Sequence, residues 1–168
     1  GTIDWDDVLS EKSDWDTLIW FGALVMLSEQ LNKQGVIAWF SGGLKDAILA
    51  SGMGWLPVAS VLVLAFVGSH YLFASTTAHI SAMMLAFLGV GVQLIPAEYV
   101  VPFLLMMTAG SGIMMTLTHY ATGTSPIIFG SGYVTMGTWW RVGAVMCLVE
   151  LLVFAVIGGA WWKLLGMW

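Results

Sequence analysis

An all-α integral membrane protein is the fold class this sequence predicts, and two observations predict it. Apolar residues make up 59% of the chain and charged residues 9%, against roughly 25% charged in soluble domains. No Asp, Glu, Lys or Arg occurs between Ala47 and Ala97, or between Tyr99 and Trp140. Each of these tracts could cross a hydrocarbon core of about 30 Å more than once. The formal charge of -5 comes mostly from Asp4, Asp6, Asp7, Glu11, Asp14 and Asp16, an acidic, solvated lead-in that points to no nucleic-acid partner. The single Cys147 excludes an intrachain disulfide and reads as a small packing residue.

Residues 1–14 read as a loop inside a longer protein. They carry no basic region followed by an apolar run, so no signal peptide is expected. The apolar run 15–27 is short for a span and crosses only if tilt or Trp15 sets its depth. Over 36–51, Ile37, Trp39, Phe40, Leu44, Ile48 and Leu49 alternate with Ser41, Lys45 and Asp46, the pattern of an interfacial amphipathic arm. Residues 54–67 read as a spanning helix with Pro57 tolerated in its first turn. Most of the ten tryptophans fall where apolar runs begin or end, as in the aromatic belts at headgroup depth; a core role suits Trp20 equally well.

The stretch of about 69–88 is different, because Ser69, His70, Tyr71, Ser75, Thr76, Thr77, His79 and Ser81 are crowded into what should be hydrocarbon. Polar groups survive at that depth only against protein or a watery cavity. A re-entrant hairpin with its tip near 75–78 meets that condition. A second helix over about 99–134 is interrupted by the polar run from Thr118 to Pro126, which contains Gly123 and no charge that would mark an exit into water. It reads as a discontinuous helix with an unwound middle. A terminal helix over about 141–165 has Arg141 and Lys163 as its interfacial ends.

Broken helices bring free amides and hydroxyls to mid-membrane depth, where they bind anions. Ser75, Thr76, Thr77, Thr122, Gly123, Thr124 and Ser125 are the candidate substrate-binding residues, their hydroxyls serving as donors to carboxylate oxygens. The same oxygens near Ser75, Thr77 and Thr122 are the place a coupling sodium ion would occupy; no other cofactor is implied. His79, His119 and Glu150 are the proton-linked or substrate-linked candidates, although a buried His is more often a hydrogen-bonded structural residue. Glu150, near the middle of the terminal helix, should face protein, be paired or be protonated. The methionines at 83, 84, 106, 107, 114 and 115 read as adaptable packing, not a metal path. A hydrolase built on Ser75 and His79 lacks an acid to orient the base, so the chain is not read as an enzyme. A small channel would call for a repeated pore helix in place of two dissimilar breaks.

The runs Phe73-Ala74-Ser75-Thr76-Thr77-Ala78 and Ala121-Thr122-Gly123-Thr124-Ser125-Pro126-Ile127-Ile128-Phe129-Gly130-Ser131-Gly132 resemble the second repeat of the divalent anion/sodium symporter family. That superfamily includes citrate/succinate and tartrate/succinate exchangers and plastid oxoglutarate/malate translocators. The resemblance implies an elevator-type homodimer of two inverted repeats, of which this chain supplies the C-terminal one, with 15–68 scaffold-type and 69–168 the transport-type part. It implies that an N-terminal repeat completes the site and that di- or tricarboxylates are carried across a bacterial inner membrane, in preference to a plastid inner envelope. Ser75, Thr76 and Thr77 stand where the family has Ser-Asn-Thr, and Thr122 at the Thr of its Thr-Pro-Pro loop. Thr76 in place of Asn, and Gly123-Thr124 in place of the Pro pair, favour anion exchange over sodium symport.

Overall fold

The computed structural model describes residues 4–167, with the side chains of some positions between 13 and 41 outside that description. Trp20 is one of them. Among the described residues all regular structure is helical, and four helices are long and apolar enough to cross a membrane: Trp55–Leu72, Thr76–Leu94, Ala97–Thr116 and Met136–Leu164.

The acidic lead-in, expected as loop, contains a helix. Helix α1 spans Trp5–Ser10, because Asp4 and Asp7 form a reciprocal capping box at its start, satisfying backbone N–H groups that would otherwise lack partners. The Trp15 indole donates to the Val8 carbonyl at 2.9 Å and ties α1 to α2, which runs Lys12–Lys33. Gly35 and Gly52 both adopt positive φ and bracket α3, Val36–Ser51. Among the described side chains of α3, only Ile37 and Ile48 are buried, and the Phe40 ring lies 6.2 Å from that of Phe87. Lys45 Nζ donates to Gln93 Oε1 at 2.5 Å. An apolar stripe and this polar bond therefore help to hold the amphipathic helix against the protein.

Helix α4, Trp55–Ser69, continues through a 3₁₀ turn, His70–Leu72, before the chain becomes extended at Phe73. Beyond this break, α5, Thr76–His79, passes through a π turn, Ile80–Met84, into α6, Leu85–Leu94. The polar residues 69–71 thus belong to the end of α4 and the 3₁₀ turn that continues it. The helical pattern runs through them because their side chains find partners inside the protein. Phe66, on α4, has the ring of His79 at 4.5 Å and that of Phe87 at 5.6 Å, so α4 and α6 lie side by side across the break.

Helix α7, Val100–Ile113, begins with a 3₁₀ turn at Ala97–Tyr99 and ends with another at Met114–Thr116. Its Phe103 and Met107 are fully buried against α4 and α6. Gly91 of α6 makes this approach possible: a Cβ there would fall 2.1 Å from Phe103 Cε1. Gly91→Ala is expected to destabilise the protein by about 1–3 kcal/mol through overpacking, and adding Phe103→Leu should recover much of that loss. Thermal unfolding of the two variants in detergent would check both statements. Helix α8, Ser125–Gly130, is short. Helix α9, Met136–Val153, starts five residues before Arg141, because Thr135 caps it by accepting from Thr138 N. A π turn, Phe154–Gly158, joins α9 to α10, Gly159–Leu164.

Candidate functional site

The two polar breaks predicted from the sequence meet, and they meet at one backbone atom. Thr76 Oγ1 donates to the Ala121 carbonyl at 2.9 Å, and His70 Nε2 donates to the same oxygen at 3.1 Å. A third bond runs in the other direction, from the Tyr120 hydroxyl to the Tyr71 carbonyl at 2.9 Å. Ala121 is fully buried, so its carbonyl needs partners from the protein. A peptide oxygen has two lone pairs, and the end of α4 and the start of α5 fill both.

On the α5 side, Ser75 is the N-cap, and its Oγ accepts from Ala78 N at 3.4 Å. Accepting leaves its own proton free to donate. Thr77 is exposed and Ser75 half-buried. On the α8 side, Thr122 Oγ1 lies 2.7 Å from Ser125 Oγ and 3.0 Å from Thr124 Oγ1, and it accepts from Ser125 N at 3.1 Å. Three hydroxyls therefore cluster at the head of α8, with Gly123 and Thr124 exposed. Gly123 has nothing within 4 Å of where a Cβ would stand, so its lack of a side chain leaves the backbone of this turn open to a ligand.

The other candidates are placed as follows. His79 is fully buried, with Nε2 2.8 Å from Ser69 Oγ and Nδ1 3.0 Å from Met114 Sδ. The rings of Phe66 and Phe73 lie against it. Its two nitrogens are occupied by structural partners. His119 accepts from Trp140 Nε1 through Nδ1 at 3.0 Å and rests on Phe129, 4.6 Å away, beside the second break. Glu150 lies on α9; its Oε2 is buried without a hydrogen-bond partner among the described residues, as are His70 Nδ1 and Thr118 Oγ1. No group of three or more His, Cys, Asp or Glu able to hold a metal ion occurs among the described residues.

Sequence reasoning left His70 out of the candidate residues, yet it is the histidine that spans the two breaks. The missing signal is long-range: its partner lies 51 residues away. Gly143, not singled out from the sequence, is the second such residue. It brings α9 against the carbonyls of Thr116 and Leu117 at the edge of the second break.

A family model described as sodium:sulfate symporter transmembrane region matches residues 1–168. The chain is 40% identical over 168 residues to the chloroplastic dicarboxylate transporter 1 of Arabidopsis thaliana, covering 100% of this chain and 30% of that protein. It is 35% identical over 169 residues to the chloroplastic dicarboxylate transporter 2 of Spinacia oleracea, covering 100% of this chain and 29% of that protein. To the L-tartrate/succinate antiporter of Escherichia coli (strain K12) it is 38% identical over 160 residues, 95% of this chain and 32% of that protein. The chain thus spans about a third of the length of these curated relatives.

Proposed function

The chain belongs to the family of the sodium:sulfate symporter transmembrane region, and from that membership we propose that it is the C-terminal repeat of a carrier that exchanges di- and tricarboxylate anions across a bacterial inner membrane. The relatives support the substrate class, since two are dicarboxylate transporters and one exchanges tartrate and succinate by name. The observation that carries the reading is the convergence of the two breaks on Ala121. It brings the hydroxyls of Ser75 and Thr77 into one region with those of Thr122, Thr124 and Ser125, while the Thr76 proton goes to Ala121 O. In a low-dielectric membrane interior, such donors can replace the hydration of a carboxylate.

The same convergence favours exchange over sodium symport. A sodium ion held near Ser75, Thr77 and Thr122 would draw on neighbouring backbone carbonyls as ligands, and Ala121 O already accepts from His70 and Thr76. The mechanism drawn from the family resemblance is an elevator in a homodimer, with an N-terminal repeat supplying the opposing hairpin and loop. The re-entrant hairpin is best drawn as the pair Trp55–Leu72 and Thr76–Leu94, wider than the segment 69–88, with its tip at 73–75. α2 and the amphipathic α3 are assigned to the scaffold and its arm. Because the hairpin drawn this way takes in α4, the helices from α4 onward are assigned to the moving part, which moves the expected boundary from 68 back to 54.

The full-length transporter, reconstituted in liposomes, tests the reading. Uptake of labelled succinate is expected to require internal malate, 2-oxoglutarate or citrate and to be unchanged by a sodium gradient. Sodium-driven uptake into empty liposomes would replace exchange by symport, and uptake of neither kind would remove the dicarboxylate assignment.

A further inference from the structure

We infer that Trp140, resting on the site as proposed above, is a positioning residue for the carboxylate: it holds His119 in one tautomer and braces the bond by which Tyr120 joins the second break to the first. By its place near the start of an apolar helix Trp140 reads as one more belt tryptophan, whose N–H would be expected among headgroups. Its N–H is instead donated to His119 Nδ1 at 3.0 Å. Its ring lies 5.5 Å from that of Tyr71 and 6.2 Å from those of His119 and Tyr120, within the roughly 4.5–7 Å over which aromatic rings attract one another. One side chain therefore touches Tyr71 at the entry to the first break and His119 and Tyr120 inside the second.

An indole can only donate, so Nδ1 is the lone-pair nitrogen of His119 and the proton of the neutral ring sits on Nε2. The bond made by one ring nitrogen decides which nitrogen carries the proton, and here Trp140 makes that bond. The Tyr120 hydroxyl donates to the Tyr71 carbonyl at 2.9 Å, and Trp140 stands against both residues of this bond, edge-on to Tyr120 at 78°. Residues 119 and 120 run through Ala121 into Thr122, whose hydroxyl heads the α8 cluster. A misplaced Tyr120 is thus passed to the candidate hydroxyls within two residues.

The helix that carries Trp140 is itself fixed to the same break. Gly143 lies three residues further along α9, and residues so spaced share a helix face. Gly143 meets the carbonyls of Thr116 and Leu117, and Trp140 meets the residues just after them. One face of α9 therefore backs the second break from its start as far as Tyr120. The indole keeps 36% of its surface exposed, so its part is directional contact more than core burial, and the fold does not hang on its N–H.

The experiment uses the full-length transporter with Trp140 replaced by benzothienylalanine, which keeps the bicyclic shape and puts sulfur where the N–H was. In liposomes KM for succinate is expected to rise about two- to tenfold, the range for one hydrogen bond, with kcat within twofold. The same replacement in a His119→Leu background should add less than twofold, because groups that act through one bond are not additive. Trp161→Phe, at an exposed position on α10, should leave both constants within twofold. NMR of the ring nitrogens in histidine-labelled protein, assigned through His119→Gln, should place the His119 proton on Nε2 in the wild type and on both nitrogens in the benzothienylalanine protein. A wild type with this spectrum that carries no dicarboxylate would count against the proposed site and not against the hold on His119. An unchanged KM, or a His119 proton that ignores the replacement, would make Trp140 a belt residue and overturn the assignment. So would a KM rise of the same size in the His119→Leu background, since the N–H would then not act through His119.

Discussion

Replacing Gly143 by alanine is expected to lower dicarboxylate exchange at least tenfold in the full-length transporter. A Cβ at this position would stand 2.2 Å from Thr116 O and 2.9 Å from Leu117 O. Both obstacles are backbone, and neither can rotate aside as the end of a side chain could. Either α9 must move away or the segment that begins the second break must be displaced, and that segment leads directly into Ala121 and Thr122. Overpacking costs about 1–3 kcal/mol and sometimes more, while a factor of ten in rate corresponds to about 1.4 kcal/mol. The matched control is Gly112→Ala on α7, where nothing lies within 4 Å of the added atom and exchange should stay within twofold. Initial rates at equal reconstituted protein would decide. If both variants exchange like wild type, the second break does not need its close contact with α9.

What was legible in the sequence follows the range of the forces involved. The break at 118–126 could be read because Gly, Pro and hydroxyl-bearing residues act within a few residues, and no charge there marks an exit into water. The helix at Trp5–Ser10 could have been read the same way: Asp4 and Asp7 have capping-box spacing but were taken only as solvated charge. The end of α4 was harder. Ser69, His70 and Tyr71 look like the start of something non-helical, and only tertiary partners make a continued helix tolerable. Ser69 Oγ donates to Phe66 O at 2.7 Å within the helix, while His70 reaches across to Ala121. Close approach at Gly91 and Gly143 was not legible either, because a glycine in an apolar run does not announce what touches it. The candidate hydroxyls were therefore found from composition, and the residues that hold them in place were not.

His70→Leu should show how much of the site depends on that hold. The substitution keeps an apolar body of similar reach and removes the N–H that meets Ala121 O at 3.1 Å. Ala121 O keeps its bond from Thr76, so the loss is that of one hydrogen bond, about 0.5–1.5 kcal/mol. Because Ala121 adjoins Thr122, this loss should appear as a roughly two- to tenfold rise in KM for succinate, with a smaller change in kcat. His70→Gln carries an N–H at comparable reach and should return KM to near the wild-type value, a rescue that simple volume filling would not produce. Thr76→Ala removes the other donor to the same oxygen, so the double substitution should be non-additive, as expected for groups sharing one partner. If Leu and Gln are equally damaging, the bond to Ala121 is not what matters. His70 would then act through its packing against the His79 ring, 5.0 Å away, and the two breaks would be joined mainly through Thr76 and the Tyr120 hydroxyl.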